Sequence, residues 1–324
     1  MKYFSEKILF FLVALWVALT LNFLIPRLMP GDPAERIMSR FSTEVNESAV
    51  EALRIAIGLE KDKSILEQYF EYIKNSFAGN FGISYVYYPV TVKDILASSL
   101  PWTIGLVGIS TVISFLIGTW LGAIAGYKRD KPVGTTLTMI SLMIKAFPYF
   151  WLAMMILYLF GYVLKWFPLS NAYSTKQFLT GWSLVSSVIY HAILPGTTLV
   201  LASLGSWILT MRNNIVTVLA EDYVLLAQAK GLTQKEVLKN YAMRNAILPS
   251  VTAFGLSLGF VVSGALLTEI VFSYPGVGYQ LYRAAVSQDY PLIQAIFFFI
   301  SLSVLSANLL MDFVYMFLDP RTRG

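Results

Sequence analysis

The chain has 324 residues, of which 56% are hydrophobic and only 13% are charged, and its mean hydropathy is +0.64. This is more apolar surface than the core of a soluble domain can bury, so the composition excludes a soluble globular protein and indicates a polytopic membrane protein. The absence of cysteine excludes disulfides and thiolate metal sites, and a net charge of +5 without a basic, aromatic-rich soluble segment does not indicate nucleic-acid binding.

Six segments are long and apolar enough to cross a bilayer, which takes about 20 helical residues for roughly 30 Å of hydrocarbon. Pro148 predicts a kink in the third of them, and a full break there would yield a seventh segment. The predicted fold is an all-α polytopic membrane protein with six transmembrane helices. The predicted spans are 8–26, 101–126, 134–164, 191–211, 250–272 and 292–318.

The first segment follows Lys2 and Lys7, as a signal peptide would, but it ends in Ile25-Pro26-Arg27 without a small-residue cleavage site. We therefore expect it to be retained as a membrane anchor. The predicted divisions are an N-terminal transmembrane helix over 1–29, an extracytoplasmic helical cap over 30–98, and a core over 99–324 that contains a cytoplasmic loop at 212–249.

The long first loop contains a predicted helix. Ser64 and Glu67 form a capping box, and Gly79 ends the helix. We expect its aromatic residues to pack a small core rather than to stack on a substrate. The apolar positions at helical spacing are Ile65, Tyr69, Tyr72, Ile73 and Phe77.

The short loops set the predicted orientation, because lysine and arginine accumulate in cytoplasmic loops. With a cytoplasmic N-terminus, the short outer loops carry only Lys165, Lys176 and Arg283, and both termini lie inside. The inner cations are then Lys2, Lys7, Lys128, Arg129, Lys131, Arg212, Lys230, Lys235, Lys239, Arg244, Arg321 and Arg323.

The segment EDYVLLAQAKGLTQKEVLKNYAMRNAILP, residues 221–249, lies on this inner side and predicts a helix, a bend at Gly231 and a second helix. Thr233 and Glu236 form a capping box for the second helix, and Pro249 marks the predicted change from polar helix to apolar span. A polar helical pair between two spans is typical of a docking surface. Its predicted apolar stripe consists of Leu219, Tyr223, Leu226 and Lys230.

This segment resembles the cytoplasmic loop of permease subunits in binding-protein-dependent ABC importers of the dipeptide, oligopeptide and nickel class. Other stretches agree with the first, or B-type, permease of such a pair, in the expected order and over nearly the whole chain. They are LMPGDPA, GNFGISY, HAILP, TEIVFSYPGVG and NLLMDFVYMFLDPRTRG.

The resemblance implies a multi-pass protein of the cell inner membrane with the ABC importer permease fold. It also implies a second related permease, two cytoplasmic ATPases and an extracytoplasmic solute-binding protein as partners. ATP and Mg are expected on the ATPases and no cofactor on this chain. None of its 21 glycines precedes a lysine, so the sequence has no P-loop.

Motif positions assign the ATPase-coupling residues. Relatives usually carry arginine and threonine where this chain has Leu225 and Leu226, which replaces a polar contact by an apolar one. The alternative for the charged residues is a solvated face, whose contacts are worth about 0–1 kcal/mol. The resemblance implies that Glu221, Asp222 and Tyr223 begin the coupling helix, that Ala227 and Ala229 allow close approach, that Lys230 meets an acidic rim and that Gly231 makes the bend.

Ionisable residues inside spans are costly and therefore candidates for function. Lys145 is predicted either to face the translocation path, where it favours an anionic cargo group, or to form a buried pair or snorkel to the interface. Glu269 is a candidate gate residue together with Pro275 and Gly276 of the YPGVG turn. Asp312 lies one turn after Asn308, and helix–helix hydrogen bonding is the simpler interpretation of that pair.

The remaining features predict structure rather than chemistry. His191 is the only histidine and is expected to form a structural hydrogen bond, since one histidine makes no metal site. Glycines crowd the second span and predict close helix packing. They are Gly105, Gly108, Gly118, Gly122 and Gly126.

Two other functional classes have weaker support. An intramembrane hydrolase needs a nucleophile and base, and no GxSxG motif occurs. A secondary carrier is expected to show inverted repeats and has no use for a docking loop. Within the importer class, oligosaccharides and nickel remain alternatives to peptides as cargo.

Overall fold

The structure is a computed structural model that describes residues 2–28, 38, 64–175 and 179–318. Several sequence features lie outside or largely outside these ranges. They are the LMPGDPA stretch, most of the first half of the predicted cap, Lys176, and the last six residues of the NLLMDFVYMFLDPRTRG stretch, which include Arg321 and Arg323. The described part of the chain is helical, with one isolated β-bridge between Ile83 and Thr91.

Eleven helices are numbered here in chain order within the described residues. They are α1 (Lys2–Leu28), α2 (Ile65–Ala78), α3 (Val92–Tyr127), α4 (Pro132–Ala146), α5 (Tyr149–Val163), α6 (Gly181–Leu219), α7 (Asp222–Ala229), α8 (Gln234–Ser263), α9 (Leu266–Val271), α10 (Val277–Ser287) and α11 (Tyr290–Leu318).

The predicted set of six spans is confirmed. Helices α1, α3, α6, α8 and α11 are each long and apolar enough to cross a membrane, and the pair α4–α5, bent by 93°, passes the same test together and makes a sixth when it is counted as one broken span. The predicted kink at Pro148 is therefore a sharp break. Helix α6 has 39 residues and begins at Gly181, ten positions before the predicted start, because a hydropathy pattern detects only the apolar part of a long helix.

Two predicted boundaries in the fifth span are wrong. Pro249 lies inside α8, which continues through it to Ser263. Proline is tolerated inside membrane helices, where neighbouring groups and local adjustments of the helix compensate for the missing hydrogen bond. At the other end the helix stops at Ser263, because Gly264 adopts φ +74°, so the predicted continuation to Phe272 forms the separate helix α9.

Helices α3 and α6 pack closely through part of the predicted glycine set. A Cβ added to Gly122 would lie 2.5 Å from the Ile208 carbonyl oxygen, and one added to Gly126 would lie 2.7 Å from that of Arg212. Gly118 meets Trp207 of α6 in the same way. Gly105 has no such neighbour within 4 Å, so the predicted packing role holds only for the second half of the helix.

The cap helix α2 packs on α1. The Ser64–Glu67 capping box and the left-handed Gly79, with φ +72°, are confirmed. Tyr69 lies edge-on to Phe23 at 5.2 Å between ring centroids, and Asn22 Nδ2 donates to the Tyr72 hydroxyl at 2.8 Å. Two members of the predicted stripe, Ile65 and Phe77, are instead exposed.

The helices give the molecule two chemically different ends. One end carries the basic loop at 128–131, the helix α7 and the bend that follows it. The other end carries α2, the loop at 80–91, and helices α9 and α10 between the spans α8 and α11. The two candidate sites lie at these opposite ends.

Candidate functional site

The first candidate site is a hairpin made of α7, the bend at Gly231 and the first turns of α8. It joins the end of α6 directly to α8, so two spans enter it without a flexible connection. Glu221 ends the preceding turn with extended backbone, at φ −74° and ψ 143°, and α7 begins at the next residue. The predicted helix–glycine–helix is therefore present.

A small apolar cluster holds the hairpin together. Val224, Ala227 and Val237 are each no more than 2% exposed and pack on one another. The predicted stripe through Leu219, Tyr223 and Leu226 is wrong. The chain breaks between α6 and α7, so Leu219 belongs to another helix, and the register of α7 turns Val224 and Ala227 inward instead.

The bend is built from the two predicted local signals. Gly231 adopts φ +78° although an added Cβ would meet nothing within 4 Å, so its conformation rather than space favours glycine. Thr233 then caps α8: its backbone N–H donates to Glu236 Oε2 at 2.9 Å, and Glu236 N–H donates to Thr233 Oγ1 at 3.4 Å.

The outer face of α7 is apolar at its centre and charged at its ends. Tyr223, Leu225 and Leu226 are 37%, 50% and 57% exposed. The Tyr223 hydroxyl accepts a hydrogen bond of 2.7 Å from Asn245 Nδ2, which orients the ring. The remaining predicted coupling residues on this face are exposed: Glu221, Asp222, Ala229 and Lys230. The three charged ones form no ion pair with another described residue.

The second candidate site surrounds Glu269 at the opposite end. Its side chain is fully buried, and its Oε1 accepts a hydrogen bond from Thr103 Oγ1 at 2.9 Å. Its Oε2 accepts from the backbone N–H of Tyr279 at 3.0 Å. Thr103 in turn accepts from the Val277 N–H at 2.7 Å, so one threonine and one carboxylate connect α3, α9 and α10.

The YPGVG turn wraps around this carboxylate. A Cβ at Gly276 would lie within 2.5 Å of Glu269 Oε1, so only glycine allows the turn to approach so closely. Pro275 precedes it, and Tyr274 is buried against Trp102. Burial and the nearby Glu269 carboxylate raise the pKa of Tyr274 to about 12, so its hydroxyl stays protonated at neutral pH.

Two residues of this end were missed by sequence reasoning. Thr103 carries no local signal, because its partner lies 166 positions away. Asp289 is fully buried and accepts from the N–H groups of Val86, at 2.9 Å, and Leu292, at 3.2 Å, and from the Ser84 hydroxyl. The sequence does contain a signal for Asp289: an aspartate just before Tyr290-Pro291 is a typical helix N-cap.

The other ionisable candidates lie outside these two sites. Lys145 is exposed in the last turn of α4, at the break between α4 and α5. Asp312 of α11 accepts from Lys7 Nζ of α1 at 3.0 Å, whereas Asn308 is exposed. The predicted structural hydrogen bond of His191 is present, since its Nδ1 lies 2.7 Å from the Ser187 carbonyl oxygen.

Comparison with known proteins gives a consistent result. Residues 118–324 match the family described as "Binding-protein-dependent transport system inner membrane component". A probable peptide ABC transporter permease of Sinorhizobium fredii is 32% identical over 93% of this chain and 92% of its own length. A glutathione transport system permease of Escherichia coli K12 is 32% identical over 100% of this chain and 99% of its own length. A putative peptide transport system permease of Brucella abortus is 30% identical over 94% of this chain and 93% of its own length.

Proposed function

The chain belongs to the family of binding-protein-dependent transport system inner membrane components, and on that premise we propose that it is the permease subunit of an ATP-driven peptide importer. The resemblance predicted from the hairpin and the other motifs is thereby confirmed. The chain is a multi-pass membrane protein and a transport component rather than a catalyst.

Peptides are the cargo that the relatives support best. Two of them are named for peptides and one for glutathione. These names favour a peptide or peptide-like solute over the oligosaccharide and nickel alternatives. A solute-binding protein delivers this cargo on the outer side, and a second related permease completes the path.

The observation that carries the coupling proposal is the hairpin's exposed apolar face. Tyr223, Leu225 and Leu226 lie on a helix held by its own buried cluster and joined to two spans. An ATPase groove that covers these side chains and meets the charges of Glu221, Asp222 and Lys230 would move α6 and α8 together. Two cytoplasmic ATPases, which bind the ATP and Mg, supply the energy.

The proposed orientation places the hairpin and both termini in the cytoplasm and the protein in the inner membrane. It is supported by the basic loop at 128–131, which lies at the hairpin's end of the molecule. The proposed divisions remain an anchor over 1–29, an outer cap over 30–98 and a core over 99–324 with the loop at 212–249. Glu269, Pro275 and Gly276 then belong to an outer gate.

A single substitution tests the coupling proposal. In the complete complex reconstituted in proteoliposomes, Leu226→Asp should abolish ATP-driven uptake and weaken ATPase binding, because it places a charge on the apolar docking face. Leu66→Asp is the matched control, since Leu66 is 70% exposed at the opposite end. Normal uptake by Leu226→Asp would contradict the coupling role. Uptake that continues without the ATPases would instead favour a secondary carrier.

A further inference from the structure

The backbone leaves helical geometry at the break between α4 and α5. Helix α4 ends at Ala146, Phe147 adopts an extended conformation with ψ 131°, and Pro148 caps α5. The two helices meet at 93°. The last carbonyl groups of a helix lack intrahelical donors, and residues 145–148 are all exposed.

The break lies deep in the predicted membrane layer. A Cβ at Gly205 of α6 would lie 2.6 Å from the Ser141 carbonyl oxygen and 3.6 Å from the Lys145 amide nitrogen. Gly205 lies six residues before the predicted inner end of the fourth span at 211, which is about 9 Å at 1.5 Å per residue. The same rise places Lys145 about 20 Å from the start of α4 at Pro132.

Irregular backbone at this depth cannot face lipid. Unpaired N–H and C=O groups in hydrocarbon cost several kcal/mol each, so such segments occur only inside protein or along a water-filled cavity. The exposed side of residues 145–148 must therefore face an aqueous route or another chain.

Lys145 adds a charge at this place. No carboxylate among the described residues forms an ion pair with it. Its side chain reaches only about 6 Å, which is less than the roughly 9 Å from Gly205 to the predicted inner end of the span, so snorkelling leaves the ammonium short of that end. The carbonyl end of α4 favours a cation but leaves its charge available to a ligand.

The neighbouring side chains complete a surface that suits a peptide. The rings of Phe147 and Trp151 are stacked at 5.7 Å between centroids, with 7° between their planes, and each residue is 44% exposed. A cation and two exposed aromatic residues at the same break complement a molecule that carries a carboxylate and apolar side chains. We propose that Lys145 lines the aqueous route and binds the carboxylate of the peptide in transit, an inference that depends on the importer function proposed above.

The first test measures whether position 145 is accessible to water. The chain has no cysteine, so an introduced cysteine is its only thiol. In the complete complex, a Lys145→Cys variant should react with a membrane-impermeant methanethiosulfonate. Met143→Cys is the matched control, because Met143 is 63% exposed at nearly the same depth but lies on the opposite face of α4. Equal reaction at both positions, or none at 145, would overturn the inference whether or not the complex transports peptides.

Uptake of a peptide and of its C-terminal amide is the second test. Lys145→Met should lower uptake of the free acid at least about tenfold, the loss of one charge-assisted hydrogen bond, and leave the amide nearly unchanged. Lys145→Arg, and Lys145→Cys carrying an aminoethyl adduct, should restore the preference for the acid. Equal loss of uptake for both peptides would mean that Lys145 has a structural role. Dissociation of the permease pair would mean that Lys145 pairs with a carboxylate of the second permease. Either result would overturn the cargo role. Absence of ATP-dependent uptake by the unchanged complex would contradict the importer function itself.

Discussion

The hydroxyl of Thr103 donates a hydrogen bond of 2.9 Å to the carboxylate of Glu269, and neither side chain is exposed to solvent. The two residues lie on α3 and α9, and the same hydroxyl accepts from the N–H of Val277 at the start of α10. A single hydroxyl of the span α3 therefore connects the carboxylate of α9 with the end of the YPGVG turn. An outer gate at this place would move as one body with the first turns of α3.

Removing the Thr103 hydroxyl should loosen this turn. Thr103→Val leaves the Val277 N–H without its acceptor and Glu269 without one donor, which should cost about 1–3 kcal/mol of unfolding free energy. Thermal unfolding of the purified subunit in detergent measures this loss. Thr103→Ser keeps the hydroxyl and is the control. Equal stability of the valine and serine variants would show that the hydrogen bond is unimportant.

The α3–α6 interface should reject side chains at Gly122 but accept one at Gly105. An added Cβ at Gly122 meets the Ile208 backbone, which cannot rotate away, so Gly122→Ala should destabilise the fold by about 1–3 kcal/mol. Gly105→Ala lies on the same helix with open space and should be neutral or stabilising. The melting temperatures of the two variants, each compared with that of the unchanged protein, test this difference. Similar losses at both positions would contradict the packing described here.

Asp289 should hold the outer loop in place. Its carboxylate accepts from Ser84, Val86 and Leu292, so Asp289→Ala leaves three donors without this acceptor, two of them on buried residues. Asp289→Asn should also be harmful, because its NH2 group faces the backbone N–H of Val86 or of Leu292 whichever way the amide is turned. Ser84→Ala removes one donor to this carboxylate and the acceptor of the Tyr87 N–H, and it should be milder because Val86 and Leu292 keep their acceptor. Limited proteolysis of the segment at 80–91 should rank the variants in this order, and a resistant alanine variant would refute the role.

The ion pair between Lys7 and Asp312 should contribute little by itself. Both side chains are 32% exposed and their charged atoms are 3.0 Å apart, so a double-mutant cycle with Lys7→Met and Asp312→Asn should give a coupling of about 0–1 kcal/mol. Unfolding in denaturant gives the four free energies that the cycle needs. A coupling well above this range would favour a functional role for Asp312, as predicted from its motif.

Much of the molecule follows from local sequence signals. The six apolar segments, the Ser64–Glu67 and Thr233–Glu236 capping boxes, and the bend at Gly231 are all present in the structure. Each depends on residues within one or two helical turns, because backbone hydrogen bonding and glycine conformation are local effects. The family motifs are equally local and were sufficient to identify the family.

Tertiary structure decided what local patterns could not. The buried face of α7 depends on where the chain breaks after α6, so Val224 and Ala227 replaced the predicted stripe. The partner of Glu269 lies 166 positions away, and hydropathy carries no information about such a pair. The exposure of Lys145 at a 93° break also required the packing of α4 on α6. The length and hydropathy of apolar runs determine which segments enter the membrane, whereas the contacts between helices determine where each buried charge can be satisfied.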